Sequence, residues 1–302
     1  MSSSSHGLKA ILYAFLANLG IAMAKTWAAF FTGSGSMLAE AIHSFADCGN
    51  QVLLYVGLRQ SQRPPDPEHP LAYGKLTYFW GFLVAILLFS VGGLFSIYEG
   101  WHKIASQEPL HQPWTGLIIL GLSVLLEFFS LRGCLKEISH LRKGRSLRHW
   151  LGITRNVELV VVLGEDTAAL IGLSFALIGL GLATLTGNAS YDAMGSIAIG
   201  IVLVAVSIFV ALHIKTLIVG RSAEPDLEQT IRRVITEEPD ITQLFNLITL
   251  QFGPDIMVAA KVNLPSHLPV GDAIPIINAL ETKIKQKVPQ VRWCFVEIDN
   301  RD

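Results

Sequence analysis

Long apolar segments alternate with short polar loops over the first 220 residues of this 302-residue chain. Six of these segments are near or above the roughly 20 residues that an α-helix needs to cross a lipid bilayer. They are Leu8–Phe31, Leu38–Leu58, Leu76–Tyr98, Trp114–Leu131, Val157–Leu185 and Met194–Val219. The pattern therefore predicts an α-helical membrane domain with six transmembrane helices over residues 1–220.

The pattern changes after Gly220, where charged residues and prolines return and the apolar runs become short. Acidic residues at a helix start and Pro239 after its end predict a helix over Asp226–Glu237, and helical spacing of apolar residues predicts a second over Asp272–Val288. Runs typical of strands cover Leu244–Phe252, Ile256–Leu264 and Val291–Asp299. Residues 221–302 are thus predicted to form a small α+β cytoplasmic domain of order αββαβ. Because so small a domain gains from burying its sheet against a second copy, we expect a homodimer that forms contacts through it.

The composition also favours a membrane protein, because only 16% of the residues are charged, against roughly 25% in soluble domains. A net charge of −1 and the lack of a clustered basic face outside the membrane-flanking loops argue against nucleic-acid binding. The three cysteines are widely separated and form no Cys-x-x-Cys pair, so neither a disulfide framework nor a thiolate zinc site is expected. The chain lacks His-Glu-x-x-His, which argues against an intramembrane metalloprotease. Its residues suggest no covalent chemistry, so we do not expect an enzyme.

Lysine and arginine are concentrated in alternate loops. Seven lie between the fourth and fifth segments and three between the second and third, whereas the loops on the other side contain only Lys103. Basic loops tend to stay in the cytoplasm, so both termini are predicted to be cytoplasmic. The residues before the first segment carry no basic region and no cleavage-like site, so we expect no signal peptide. In the absence of a long targeting extension, we expect a multi-pass protein of the bacterial cytoplasmic membrane.

Ionisable residues within the second and fifth segments are the main candidates for function, because such groups are costly in lipid. Glu40, His43 and Asp47 share one face of the second helix, and Glu165 and Asp166 lie in the fifth. Imidazole and carboxylate ligands suit zinc and its first-row neighbours. A tetrahedral ion that binds His43 and Asp47 needs about two more ligands from a neighbouring helix. The sequence therefore predicts that His43, Asp47, Asp166 and Glu165 bind a transported divalent metal, with protons replacing it when it leaves.

Two structural interpretations stand beside this one. The polar residues of the two helices can pair with one another or with Lys25 and simply hold the helices together. Glu40 lies near the outer end of the second helix, where an ion pair with Lys25 or a solvated role is as good an interpretation as metal contact.

Several motifs together resemble those of the cation diffusion facilitator family. They are Gly33-Ser34-Gly35-Ser36-Met37, His43-x-x-x-Asp47, Tyr73-Gly74-Lys75, Tyr191-Asp192 and the αββαβ tail. The strings from His43 to Asp47 and from Glu165 to Ala169 resemble the branch related to zinc transporter nine. The resemblance implies Y-shaped homodimers, a ferredoxin-like or metallochaperone-like cytoplasmic domain, and proton-driven export of divalent metal, zinc foremost, from the cytoplasm.

The chain departs from the family pattern on the fifth helix. Zinc-transporting members usually carry a second His-x-x-x-Asp there; Asp166 matches the Asp, but Val162 stands where the His belongs. Glu165 is about 60° around the helix from Val162 and is the expected replacement. Exchanging a nitrogen ligand for oxygen weakens the preference for zinc, so manganese, iron, cobalt and nickel stay open as cargo.

The loop after the second helix is a second departure. Asp66 and His69 match two positions that bind metal in some members of the family, while Tyr73 stands where a further His is often found. His267 is the only histidine of the tail, so a regulatory metal site is not expected there. A non-transporting membrane scaffold that dimerises through its tail and pairs with an active relative is the main alternative function.

Overall fold

A computed structural model describes residues 3–106 and 110–301. The long helices of the first two thirds of the chain are α1 (Ser3–Thr32), α2 (Gly35–Ser61), α5 (Pro113–Leu141), α7 (Val157–Thr186) and α8 (Ser190–Val219). Between α2 and α5 the chain is helical over 76–106, in three consecutive parts: α3 (Leu76–Leu87), a π-helical segment (Leu88–Leu94) and α4 (Phe95–Ser106). A short helix, α6 (Leu147–Ile153), precedes α7.

Four helices of the described chain are long and apolar enough to cross a membrane: Leu76–Ser106, Pro113–Leu141, Val157–Thr186 and Ser190–Val219. They establish a multi-pass helical membrane protein. The other two predicted crossings coincide with α1 and α2, which are helical over 30 and 27 residues. Since α2 carries the polar stripe that includes Glu40, His43 and Asp47, it is less apolar than the four, and the count of six crossings stays a prediction.

The chain forms two compact units. The first comprises the chain up to Gly57, Trp80–Arg145 and Glu158–Ile214. The second comprises Leu58–Phe79, Ser146–Val157 and the chain from Lys215 onwards. Two loops of the predicted membrane domain thus belong to the same unit as the tail, and the division into residues 1–220 and 221–302 stays a prediction.

The first turns of α2 and α8 are joined by a buried aspartate, Asp192. Its carboxylate accepts hydrogen bonds from Ser34 Oγ and from the Gly35 backbone N–H, both at 2.7 Å, and from Ser36 Oγ. A carboxylate at a helix N-terminus satisfies free N–H groups and interacts favourably with the helix dipole. The Gly-Ser-Gly-Ser motif therefore anchors α2, the helix that carries the candidate site, to α8.

The tail contains α9 (Pro225–Thr236), β1 (Gln243–Phe252), β2 (Asp255–Asn263), α10 (Val270–Lys287) and β3 (Val291–Ile298). The strand order is β1-β2-β3, with β1 antiparallel and β3 parallel to β2. Alternate residues of β2 are buried under the two helices, in a core that includes Ile231, Val258, Leu280 and Ile284. The predicted order αββαβ is observed, whereas the likeness to a metallochaperone stays a prediction.

Within the second unit, the loop before α3 and the first turn of α3 contact the end of β1 and the turn between β1 and β2. The Gly253 backbone N–H donates to the Tyr78 hydroxyl at 2.8 Å, and the Lys75 ammonium lies 4.8 Å from the centre of the Phe252 ring. A side chain at Gly74 would collide with the Phe252 carbonyl. This close approach accounts for the Tyr73-Gly74-Lys75 motif, which has a packing role here.

Candidate metal transport site

His43 and Asp47 lie one helical turn apart on α2, with His43 Nε2 3.6 Å from Asp47 Oδ2. His43 is only 1% exposed, and neither of its ring nitrogens has a hydrogen-bond partner in the described part of the chain. The same holds for Asp47 Oδ1. Buried polar atoms without partners are rare because each costs free energy, so this face of α2 has unused capacity to bind a ligand.

The two carboxylates of α7 are each held by a neighbouring helix. Asn50 Nδ2 of α2 donates to Glu165 Oε1 at 2.6 Å, and Ser130 Oγ of α5 donates to Asp166 Oδ2 at 3.1 Å. Glu165 is 8% exposed. These hydrogen bonds orient both side chains and leave further oxygen lone pairs available.

A cavity of about 150 Å³ brings these groups together. Asp47 of α2 and both Glu165 and Asp166 of α7 line it, together with Glu127 of α5. Its other lining residues are Asn18, Ile21, Ser44, Gln51, Leu54, Leu126, Ser130, Val162 and Ala169. Three of the four predicted ligands therefore face one cavity, and Val162, where the family pattern has histidine, faces it as well.

His43 is the exception among the predicted ligands, since it lies one helical turn from Asp47 but does not line the cavity. Within residues 3–106 and 110–301, no three His, Cys, Asp or Glu side chains are close enough together to hold a metal ion. The donors thus surround a space larger than a dehydrated ion and must converge to bind one. The assignment of His43, Asp47, Glu165 and Asp166 as ligands stays a prediction.

Glu127 is the site residue that the sequence analysis missed. It lies within the apolar run Leu125-Leu126-Glu127-Phe128-Phe129, inside the predicted fourth crossing. An isolated acid in such a run is a candidate for function by the same argument that singled out the second and fifth helices. The signal was present, but Glu127 lacks a second ionisable residue at helical spacing within the predicted crossing.

Glu40 forms an ion pair with Lys25, which was one of its interpretations from the sequence. Lys25 Nζ of α1 lies 3.1 Å from Glu40 Oε2 and donates a second hydrogen bond to Ser44 Oγ at 2.9 Å. Both members of the ion pair are fully buried. The pair lies beside the candidate site, and Glu40 does not line the cavity.

In the loop after α2, the Asp66 carboxylate is occupied by neighbours from its own segment. Oδ1 accepts from the His69 backbone N–H at 2.7 Å, and Oδ2 accepts from the Tyr73 hydroxyl at 2.6 Å. The Tyr73 hydrogen bond is the main reason why the pKa of Asp66 lies below its ordinary value. The predicted loop site at Asp66 and His69 stays a prediction, and a metal there would have to displace Tyr73.

Carboxylates and an imidazole buried inside a multi-pass helical membrane protein are typical of a cation transporter. The chain belongs to the cation diffusion facilitator, or cation efflux, family. The family's cation efflux transmembrane domain matches residues 11–213, and its cation efflux protein cytoplasmic domain matches residues 223–301.

Among curated relatives, the mitochondrial proton-coupled zinc antiporter SLC30A9 of Xenopus laevis is 34% identical over 231 residues, and its Homo sapiens counterpart is 31% identical. These matches cover 76% of this chain and 41% of each antiporter. The predicted family and its zinc transporter nine-like branch are thereby confirmed. The cation-efflux pump FieF of Yersinia enterocolitica is 24% identical over 269 residues, or 88% of this chain and 83% of FieF.

Among solved structures, the cadmium form of a MamM CTD is 17% identical and covers 26% of this chain and 98% of its own. The TM-score is 0.25.

Proposed function

We propose that the protein exports a divalent transition metal, zinc foremost, from the cytoplasm in exchange for protons. The observation that carries the proposal is the cavity of about 150 Å³ at which Asp47, Glu165 and Asp166 meet. The names of the relatives support it, since they are a proton-coupled zinc antiporter and a cation-efflux pump.

The proposed ligands are His43, Asp47, Glu165 and Asp166. Three carboxylates around a dication leave a formal charge near −1 when the metal is bound and near −3 when it is absent, and protons can compensate that difference. Because metal and protons compete for the same oxygen and nitrogen atoms, binding of one releases the other. An oxygen-rich ligand set also admits manganese, iron, cobalt or nickel, so the preference for zinc is part of the proposal.

We further propose six crossings with both termini in the cytoplasm, and a homodimer formed through residues 221–302. The basic loops on one side of the predicted topology support the orientation. The bacterial cytoplasmic membrane is the proposed location, with a mitochondrial membrane as the alternative that the animal relatives suggest.

Zinc flux in proteoliposomes tests the proposal. Wild-type vesicles loaded with a zinc-sensitive dye should show uptake that follows an imposed pH gradient, and Asp166→Asn should abolish that uptake. Glu137→Gln is the matched control, since Glu137 lies on α5 away from the cavity and is exposed. Wild-type flux in the Asp166→Asn protein, or flux that ignores the pH gradient, would contradict the proposal.

The second candidate is a non-transporting scaffold that assembles with an active relative. Val162, together with the lack of a converged donor group among the described residues, favours it. Titration calorimetry separates the two candidates. A transporter should bind about one zinc ion per subunit, and Asp47→Asn should abolish that binding. A scaffold should bind no zinc tightly at the cavity.

A further inference from the structure

The buried ion pair between Lys25 and Glu40 lies next to the transport site but is not part of the cavity wall. Lys25 Nζ contacts Glu40 Oε2 at 3.1 Å and Ser44 Oγ at 2.9 Å, so one ammonium joins α1 to two successive turns of α2. Replacing a buried ion pair with apolar residues of similar volume is often neutral or even stabilising, so stability alone is a weak reason for its presence.

The same glutamate also contacts α7. A Cβ atom at Gly172 would lie 2.7 Å from Glu40 Oε1, and the absence of a side chain there makes room for the carboxylate. Glu40 Oε1 is buried and receives no hydrogen bond from the described residues. The ion pair therefore fills the junction of α1, α2 and α7, and one of its oxygens is not locked to any donor.

The ion pair and the cavity occupy successive levels of these three helices. Every cavity-lining residue of α1 precedes Lys25, every one of α2 follows Glu40, and every one of α7 precedes Gly172. At 1.5 Å per residue, Glu40 lies about 10 Å from Asp47 along α2, and Gly172 about 9 Å from Asp166 along α7. The cavity wall thus ends about one turn short of the ion pair on each of these helices, and the ion pair lies beyond it on that side.

We propose that the Lys25–Glu40 ion pair is a gate that closes the transport site at the end where the cavity wall stops. The ion pair must break and re-form in each transport cycle. This inference rests on the proposed transport function. In the proposed orientation the gate separates the site from the exit side of the membrane. Alternating access requires a two-state element on each side of the site, and an ion pair between helices can serve as one.

The accessibility of an engineered thiol on the far side of the gate tests the inference. The background is the full chain with Cys48→Ser, Cys134→Ser and Cys294→Ser, so that the engineered thiol is the one that reacts. The reporter is Ala29→Cys, one turn beyond Lys25 on α1, at a position that is 5% exposed. The matched control is Ala22→Cys, at a fully buried position on the cavity side of Lys25.

Protein reconstituted in nanodiscs is treated with a charged methanethiosulfonate reagent, which reacts with thiols that water can reach. If a closed gate opens in roughly 0.1–10% of molecules, the neutral pair Lys25→Met with Glu40→Gln should speed labelling of Ala29→Cys by about tenfold or more. The exchanged pair Lys25→Glu with Glu40→Lys should return the rate towards that of the unaltered pair. Labelling of Ala22→Cys should change by less than about twofold in both.

An unchanged labelling rate of Ala29→Cys in the neutral pair would overturn the inference. So would equal acceleration at Ala29→Cys and Ala22→Cys, because that result indicates general loosening of the helices. Zinc binding measured on the same samples keeps the two proposals apart. Wild-type protein that binds no zinc would remove the transport function, whereas intact binding with unchanged labelling would remove only the gate.

Discussion

Asp47 in α2 and Asp66 in the following loop are both candidate metal ligands, yet their oxygens are used differently. Both oxygens of Asp66 accept hydrogen bonds from its own segment, including one from Tyr73. Asp47 Oδ1 is buried and has no partner within the described chain, and Asp47 faces a cavity shared with Glu165 and Asp166. An acid whose bonds are satisfied locally stabilises a loop, whereas a buried acid with unused capacity is available for an exchangeable ion.

The largest expected effect separates these two acids directly. Asp47→Asn should lower zinc flux by about 100-fold or more, since even changes to residues that only support a metal ligand cost about 10–100-fold. Asp66→Asn keeps a similar shape and should change flux by less than about twofold. Proteoliposome flux at saturating zinc measures both, and equal losses in the two variants would remove the distinction.

The next effect concerns the nitrogen ligand that this chain lacks. Val162→His places an imidazole on the cavity wall beside Asp166, which should favour zinc over manganese by about tenfold because imidazole suits zinc and carboxylate oxygens suit manganese. Competition of the two metals for flux, compared with Val162→Ala, measures this change. An unaltered preference would show that the ion binds away from residue 162.

A smaller effect is expected at Glu127, which shares the cavity but was not predicted as a ligand. Glu127→Gln should reduce the rate of zinc flux several-fold, because it removes one negative charge from the wall that attracts the cation. Glu137→Gln on the same helix is the control. The reduction should shrink at high salt if Glu127 acts through its charge, and a salt-independent loss would instead indicate a direct ligand.

The smallest effect is on the loop. Tyr73→Phe removes the hydrogen bond that chiefly lowers the pKa of Asp66, so this pKa should rise towards its ordinary value. A lowered pKa stabilises the folded loop above the unfolded pKa, and this contribution is lost as pH falls through the folded value. Carbon NMR of labelled aspartate should detect the upward shift, while flux at neutral pH stays unchanged. An unchanged titration would contradict the role given to Tyr73.

Local patterns in the sequence were sufficient for the secondary structure of the tail and for the polar face of α2. The αββαβ order of the tail follows from helical and alternating spacing, which depends on neighbouring residues alone. His43 and Asp47 lie on one face because residues four apart are adjacent on any α-helix. The observed strands and helices of the tail differ from the predicted bounds by only one or two residues.

The partners of each polar residue were decided by the tertiary structure. Periodicity tells which residues share a helix face, but the rotation of a helix and its neighbours depend on packing over the whole bundle. For that reason Glu127 of α5 could not be joined to Asp47 from the sequence, and His43 could not be placed outside the cavity wall. Packing likewise decided that Glu40 pairs with Lys25, at the level where Gly172 leaves room on α7.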